Sequence, residues 1–318
     1  MLDTLFSMLT QSLNFSTPII IAGLGGLFSE RSGVVNIALQ GLMMVGGFAG
    51  ATITVLLEPL FSINIAPWIG ILVGMLSGAL LSLIHAYLSV NIGADQVISG
   101  TGINLLAIGL TVYLAEIIFG QQRTETFRTG FSKETIPLLS RIPIIGDIFF
   151  TNIYSTVFLG FLLVAITWFV VYKTAFGLRL RATGENPHAA DSMGINVYKM
   201  RYIGVILSGA LAGLAGAIMI LTLDTQYTVT SIPGTGFIAL AALIFGKWKP
   251  FGLMWASLFF GFSVMLRLYA TDVPVISNLP LEFFSALPYL VTVIALVVFS
   301  SRDVGPKAAG EPYDKGKR

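Results

Sequence analysis

The sequence predicts an all-α polytopic membrane protein of about nine transmembrane helices, and three observations carry that reading. Of 318 residues, 55% are apolar and 11% charged, whereas a soluble domain carries roughly 25% charged residues. Mean hydropathy is +0.85, and there are 34 glycines, a residue more frequent in membrane helices than in soluble ones. The charges also punctuate the chain. A charge in hydrocarbon is costly, so uncharged stretches longer than about 17 residues are candidate spans. Residues 4–29, 32–57, 59–94, 96–115, 148–172, 202–223, 225–246, 250–266 and 283–301 are such stretches. Most are continuously apolar without period-two alternation, which favours helices over an outer-membrane barrel.

The first run has Asp3 as its only early charge and lacks the basic n-region of a signal peptide. A polar, glycine-flanked interruption, 25–41, separates it from the second. Unwound backbone at membrane depth is tolerated only where it is buried in protein or lines a wet cavity. Glu30 and Arg31 adjoin there, either in a solvated turn or in a pathway, while Asn36 and Gln40 share a face at i, i+4 and suit a pathway or helix-bonding role. The third run holds one helix near 68–89 after a Pro-containing loop, and His85 within it reads as a packing histidine. Asp95 suits the N-cap of the fourth helix, whose opening turns present Gln96 and Asn104. Asn104 either bonds a neighbouring helix or faces a cavity. Glu116 falls at the outer interface. Gly23 with Gly26, Gly46 with Gly50, Gly74 with Gly78, and Gly209 with Gly213 recur at helical spacing and read as packing seams. A second interruption, 222–227 followed by 231–237, breaks the seventh helix into an irregular start and a shorter inner half. A plain external loop explains Asp224 and Gln226 equally well.

Orientation follows from basic loops. Lys173, Arg179, Arg181, Lys199 and Arg201 outweigh Glu185 and Asp191 in the loop 173–201, which is therefore cytoplasmic. The Lys247-Trp248-Lys249 turn and the basic tail 302–318 fall on the same side after an even number of crossings. Nine crossings place the N-terminus outside, with the C-terminus cytoplasmic. The loop 120–147 is external despite four basic residues. Residues 1–301 form a single transmembrane domain.

Composition excludes several functions. A chain without cysteine has no disulfide, thiolate metal site or Cys nucleophile, and His85 and His188 show no metal-ligand spacing. No metal or cofactor is expected. A net charge of +2 makes no case for nucleic acid. Neither paired carboxylates nor a triad appears, so the chain is not expected to be an enzyme. Ionisable groups near the midplane, which a proton- or sodium-coupled transporter needs, are almost lacking. In the cytoplasmic loop, Asn186-Pro187 starts a helix with Pro at its first position, 189–193 favours one short turn, and Gly194 stops it. A short helix between basic flanks suits docking into another protein's groove. No G-x-x-x-x-G-K-[ST] phosphate loop is present, so nucleotide hydrolysis must come from another polypeptide.

Four motifs, Phe28-Ser-Glu-Arg-Ser-Gly-Val-Val-Asn-Ile-Ala-Leu-Gln-Gly41, Ala94-Asp-Gln-Val-Ile-Ser-Gly-Thr-Gly-Ile-Asn104, Arg181-Ala-Thr-Gly-Glu-Asn-Pro-His-Ala-Ala190 with Met193-Gly-Ile-Asn196, and Pro233-Gly-Thr-Gly-Phe237 with 241–250, carry a resemblance in collinear order over nearly the whole chain. They resemble the inner-membrane permeases of bacterial ABC importers, in the branch of ribose-type sugar, branched-chain amino-acid and nucleoside permeases, and most closely its guanosine-type members. The resemblance implies a type II importer fold like that of the vitamin B12 permease, in the bacterial plasma membrane. It implies a coupling helix at about 186–194, involving Glu185, Asn186, Pro187, His188, Ala189, Ala190, Asp191 and Gly194. Also implied are an ABC ATPase subunit, a homologous second permease in a heterodimer, and an extracellular substrate-binding lipoprotein. Gln40 departs from the pattern, which has Glu in many relatives. The expected function is half of a translocation pathway for nucleosides, with Phe28, Asn36, Gln40, Gln96, Asn104 and Gln226 lining or gating it. The rivals are the same machine carrying ribose or galactose, and an ATP-independent facilitator.

Overall fold

The computed structural model describes residues 2–60, 65–269, 286 and 305–316. Eight of the nine uncharged runs hold a helix; the ninth, 283–301, lies outside the described residues. In chain order these are α1 (Leu2–Arg31), α2 (Leu39–Leu57), α3 (Ala66–Ala86, continued by a π-helical turn Tyr87–Ile92) and α4 (Gln96–Phe119). A folded excursion follows, with β1 (Lys133–Glu134), α5 (Ile145–Phe149) and β2 (Ile153–Tyr154), the two strands pairing antiparallel. Then come α6 (Ser155–Lys173), α7 (Ala175–Glu185), α8 (Pro187–Ser192), α9 (Val197–Leu223), α10 (Thr235–Phe245) and α11 (Pro250–Leu268). Among the described residues, seven helices are long and apolar enough to cross a membrane. The seventh run yields instead the 11-residue α10, which at about 1.5 Å per residue covers roughly half of a ~30 Å hydrocarbon core. The expected break of the seventh helix is thus present.

α1 and α9 form the centre. Hydroxyls within α1 bond back to the preceding turn, Ser12 Oγ to the Met8 carbonyl at 2.7 Å and Ser16 Oγ to that of Ser12 at 2.6 Å, so they are satisfied without water. The glycine stripes are packing seams, as predicted. On α2, a Cβ at Gly46 would collide with the backbone of Gly213; on α3, one at Gly78 would collide with the Gly209 carbonyl; on α9, one at Gly216 would collide with the Met43 carbonyl. Three backbones therefore approach as closely as small residues allow, which gives α2, α3 and α9 dispersion contacts that lipid cannot match.

The bundle has two distinct ends. At one, the start of α1 meets the excursion, with Thr10 donating to the Asp147 and Ile148 carbonyls at 3.3 and 3.1 Å. The excursion also bonds the segment after α9, through Thr124 N to the Tyr227 carbonyl (3.1 Å) and Phe127 N to the Thr225 carbonyl (2.9 Å). At the other end lie the α1–α2 break, α7, α8, the turn at Trp248 and residues 305–316.

Candidate functional site

The first break, between α1 and α2, is made by Gly33, whose φ of +95° is available to glycine without strain. Its freed backbone groups must be satisfied, because an unpaired one in an apolar interior costs about 1–3 kcal/mol. Side chains from three other helices do this. Gln96 Oε1 accepts from Val35 N at 2.7 Å, and His85 Nε2 lies 3.1 Å from the Val35 carbonyl. A carbonyl can only accept, so Nε2 carries a proton there, and in a neutral ring Nδ1 accepts from Ser99 Oγ at 3.0 Å. Asn104 Nδ2 donates to the Ile37 carbonyl at 3.0 Å, while its Oδ1 accepts from Gly41 N at 2.7 Å, one of the orphan donors of the first turn of α2. Asn36 Nδ2 donates to Ser208 Oγ at 2.8 Å, and its Oδ1 accepts from Ala38 N at 3.1 Å.

The expectation that Asn36 and Gln40 share a helix face is corrected by this geometry. Asn36 lies in extended chain before α2, because the helix begins only at Leu39. Gln40 points elsewhere, to the second break. Its Nε2 donates to the Ile232 carbonyl at 2.6 Å, and its Oε1 accepts from Gly236 N at 2.8 Å, so one amide clamps the chain on both sides of the Gly234 turn that starts α10. Gln40 and Asn104 then border a cleft of about 390 Å³ between α2, α4 and α10, together with Met44, Thr101 and Phe237.

The outer part of the second break is held by Tyr227. Its hydroxyl donates to Thr111 Oγ1 at 3.1 Å, and its ring meets Phe48 edge-on at 5.5 Å. Burial raises the Asp224 carboxyl at the end of α9, against a hydrogen bond from Ser231 that lowers it.

Of the six predicted pathway residues, the structure gathers Asn36, Gln40, Gln96 and Asn104 around the two breaks. Phe28 stands apart, buried with Leu24, Leu27, Val171 and Met200. Gln226 is half-buried at the end of the bundle that carries the excursion, where Thr126 Oγ1 lies 3.5 Å from its Oε1. The aromatic ring at the cleft is that of Phe237, 49% exposed. Its position one residue after Gly236 in the Pro233-Gly-Thr-Gly-Phe237 motif was the available signal.

At the opposite end from the excursion, Glu30 and Arg31 form neither a solvated turn nor part of the cleft. Glu30 is buried and accepts from Trp248 Nε1 at 2.5 Å. The Arg31 guanidinium donates to the Trp248 carbonyl at 3.0 and 3.3 Å and lies 3.8 Å from Glu185. The end of α1 is thus fastened both to the α10–α11 turn and to the joint between α7 and α8. The local prediction for that joint holds. Asn186 caps α8, its Oδ1 accepting from Ala189 N at 3.0 Å, Pro187 occupies the first turn, and Gly194 ends it at φ +79°. His188, Ala189, Ser192 and Met193 face outward, Met193 being 82% exposed, whereas Ala190 is buried. Asp191 pairs with Lys315 at 3.7 Å.

Residues 8–296 match the family described as "Branched-chain amino acid transport system / permease component". The chain is 47% identical over 310 residues to the guanosine ABC transporter permease protein NupQ of Bacillus subtilis (strain 168), covering 96% of each chain. It is 43% identical over 315 residues to the nucleoside ABC transporter permease protein NupC of Lactococcus lactis subsp. cremoris (strain MG1363), covering 99% of each. Its fold matches a solved chain described as an inward-facing conformation of a metal-chelate type ABC transporter, with a TM-score of 0.50 at 17% identity, over 92% of this chain and 85% of that one.

Proposed function

This chain belongs to the family of branched-chain amino acid transport system permease components, and from that premise we propose that it forms half of a translocation pathway for nucleosides in an ABC importer. The observation that carries the substrate class is the near-full-length similarity to the guanosine permease of Bacillus subtilis. In this reading a separate ATPase subunit supplies the energy, a substrate-binding lipoprotein delivers the nucleoside from outside, and the chain itself does no covalent chemistry. A homologous second permease completes the pathway as a heterodimer. Residues 1–301 act as one transmembrane unit in the bacterial plasma membrane, with the N-terminus outside and the loop 173–201 and the tail in the cytoplasm.

The cleft between α2, α4 and α10 is the wall this chain contributes. Gln40 and Asn104 spend most of their hydrogen bonds on the breaks, so their remaining N–H groups and the Phe237 face are what a base or ribose would meet. Gln226 stands at the outer mouth, Asn36 and Gln96 hold the first break in shape, and Phe28 packs behind it. The helix α8 is the coupling helix: its outward residues suit an ATPase groove, and Glu185 hands its displacement to Arg31 and Trp248. Moving that end would swing α10 about its Gln40 clamp and open the cleft inward.

The test is uptake of labelled guanosine by cells lacking the chain and by cells complemented with it, with excess uridine or ribose as competitors. Uptake restored by the chain and competed by uridine alone supports the nucleoside reading. Unchanged guanosine uptake removes it.

A further inference from the structure

We propose that residues 305–315 are a strut that ties α8 to the first break and carries the movement of one to the other. This deepens the coupling reading of α8 and rests on it. Sequence alone reads the segment as a basic cytoplasmic tail, yet it meets the α10–α11 turn, the end of α7, the first break and α8. A Cβ at Gly305 would lie 3.2 Å from the Trp248 ring. Ala308 N donates to the Gly184 carbonyl at 2.8 Å, and Gly310 N to the Gly33 carbonyl at 3.3 Å. Further on, Tyr313 is buried with Ala190 and Val197, its ring 5.2 Å from His188 and 5.4 Å from Tyr198. Lys315 then reaches Asp191 of α8.

One part of the segment therefore grips the break and the other grips α8, with only a few residues between. Ordering such a segment costs conformational entropy, which the burial of Ala308 and Tyr313 offsets. Arg201 shows that the segment is needed for a satisfied structure. Its side chain is 1% exposed and lies against Gly33, and its Nη1 donates to the Glu311 carbonyl at 2.9 Å. Among the described residues its Nε and Nη2 have no hydrogen-bond partner. Withdrawing the tail would take away the one acceptor this guanidinium has among the described residues and uncover its charge, so the seating of the tail and the burial of Arg201 are one event.

The test uses the whole transporter, co-purified with its ATPase and reconstituted in proteoliposomes with guanosine. Tyr313→Ala is expected to lower uptake per ATP hydrolysed about tenfold, the upper part of the range by which residues between coupled sites alter coupling. The ATPase should still co-purify, and Tyr313→Phe, which keeps the ring packing, should recover most of the loss. A native ratio in Tyr313→Ala overturns the strut, and so does loss of the ATPase from that complex, which would make the tail a docking surface instead. Since the chain has no cysteine, Asp191→Cys with Lys315→Cys can be bridged by a short thiol reagent, and this decides the matter even where Tyr313→Ala does not reach the membrane. A strut travels with α8, so the double variant should transport at the same rate before and after the reagent is added, whatever its rate relative to the native chain; a rate that falls on bridging overturns the proposal. Uptake that survives replacement of 186–194 by a flexible linker would sink the coupling reading itself, whatever the tail does.

Discussion

The two breaks in the bundle are held in opposite ways. The first is short and tied by His85, Gln96, Asn104 and Ser208, from three different helices, which hold Val35 at both its N–H and its carbonyl, the Ile37 carbonyl and the Asn36 side chain. The second is longer, exposes Thr230 and Pro233, and at its inner end depends on the single amide of Gln40. The first break is therefore built as a fixed point and the second as an element that can move about one clamp. This division places the cleft at the boundary between a rigid body, α2–α3–α9, and a half-helix anchored at one residue.

Asn104→Leu should break the comparison most severely. It removes both bonds to the first break and leaves the part-buried Ile37 carbonyl and the buried Gly41 N–H unpaired, in a break whose other ties keep it from shifting towards water, at about 1–3 kcal/mol each. The expected outcome is a large drop in melting temperature of the detergent-solubilised chain, with uptake lost along with the fold. Gln40→Leu unpairs the Ile232 carbonyl and Gly236 N–H, which are buried, but the exposed Thr230 and Pro233 beside them let this break shift until water reaches both, so the cost should be smaller, about 0.5–1.5 kcal/mol. Its effect on transport should be the larger share: guanosine uptake reduced in cells whose membranes hold near-native amounts of the chain. Equal destabilisation by the two substitutions would show that both breaks are equally fixed.

Much of this arrangement is legible in the sequence where the governing physics is local. Asp95 accepts from Val97 N and Ile98 N at the start of α4, Asn186 and Pro187 open α8, Gly194 closes it, and α10 is the short inner half expected after Pro233 and Gly234. Caps, turns and charge-free runs involve neighbours within a few residues, so the residue types suffice. Partners far apart in sequence are another matter. Glu30 and Trp248 are 218 positions apart, and no spacing rule connects them. The shared face of Asn36 and Gln40 failed because helical periodicity was extended back through 36–38, where the chain is not helical. Arg201 counted only as one more positive charge on the cytoplasmic side, though burial beneath the tail is what distinguishes it.

Tyr227 sharpens the comparison at the outer part of the second break. Tyr227→Phe removes a hydrogen bond to Thr111, but the Thr111 hydroxyl also lies 2.8 Å from the Ala107 carbonyl and stays satisfied. The cost should be about 0.5–1.5 kcal/mol. Melting curves of the native and Tyr227→Phe chains in detergent should differ by no more than this.

The smallest effect belongs to Gln226→Ala. This side chain is half-buried, and its one described polar neighbour, Thr126 Oγ1, lies at 3.5 Å, the outer edge of hydrogen-bond distance. Its removal should change stability by no more than about 0.5 kcal/mol, as surface substitutions do. In the proposed pathway it stands at the outer mouth and meets substrate before the cleft does, so its loss should raise the KM for guanosine uptake about two- to threefold, with the maximal rate kept. An effect on the maximal rate as large as that of Gln40→Leu would mean that the second break is clamped at both ends. α10 would then be no freer to move than the first break, and the asymmetry between the two would be gone.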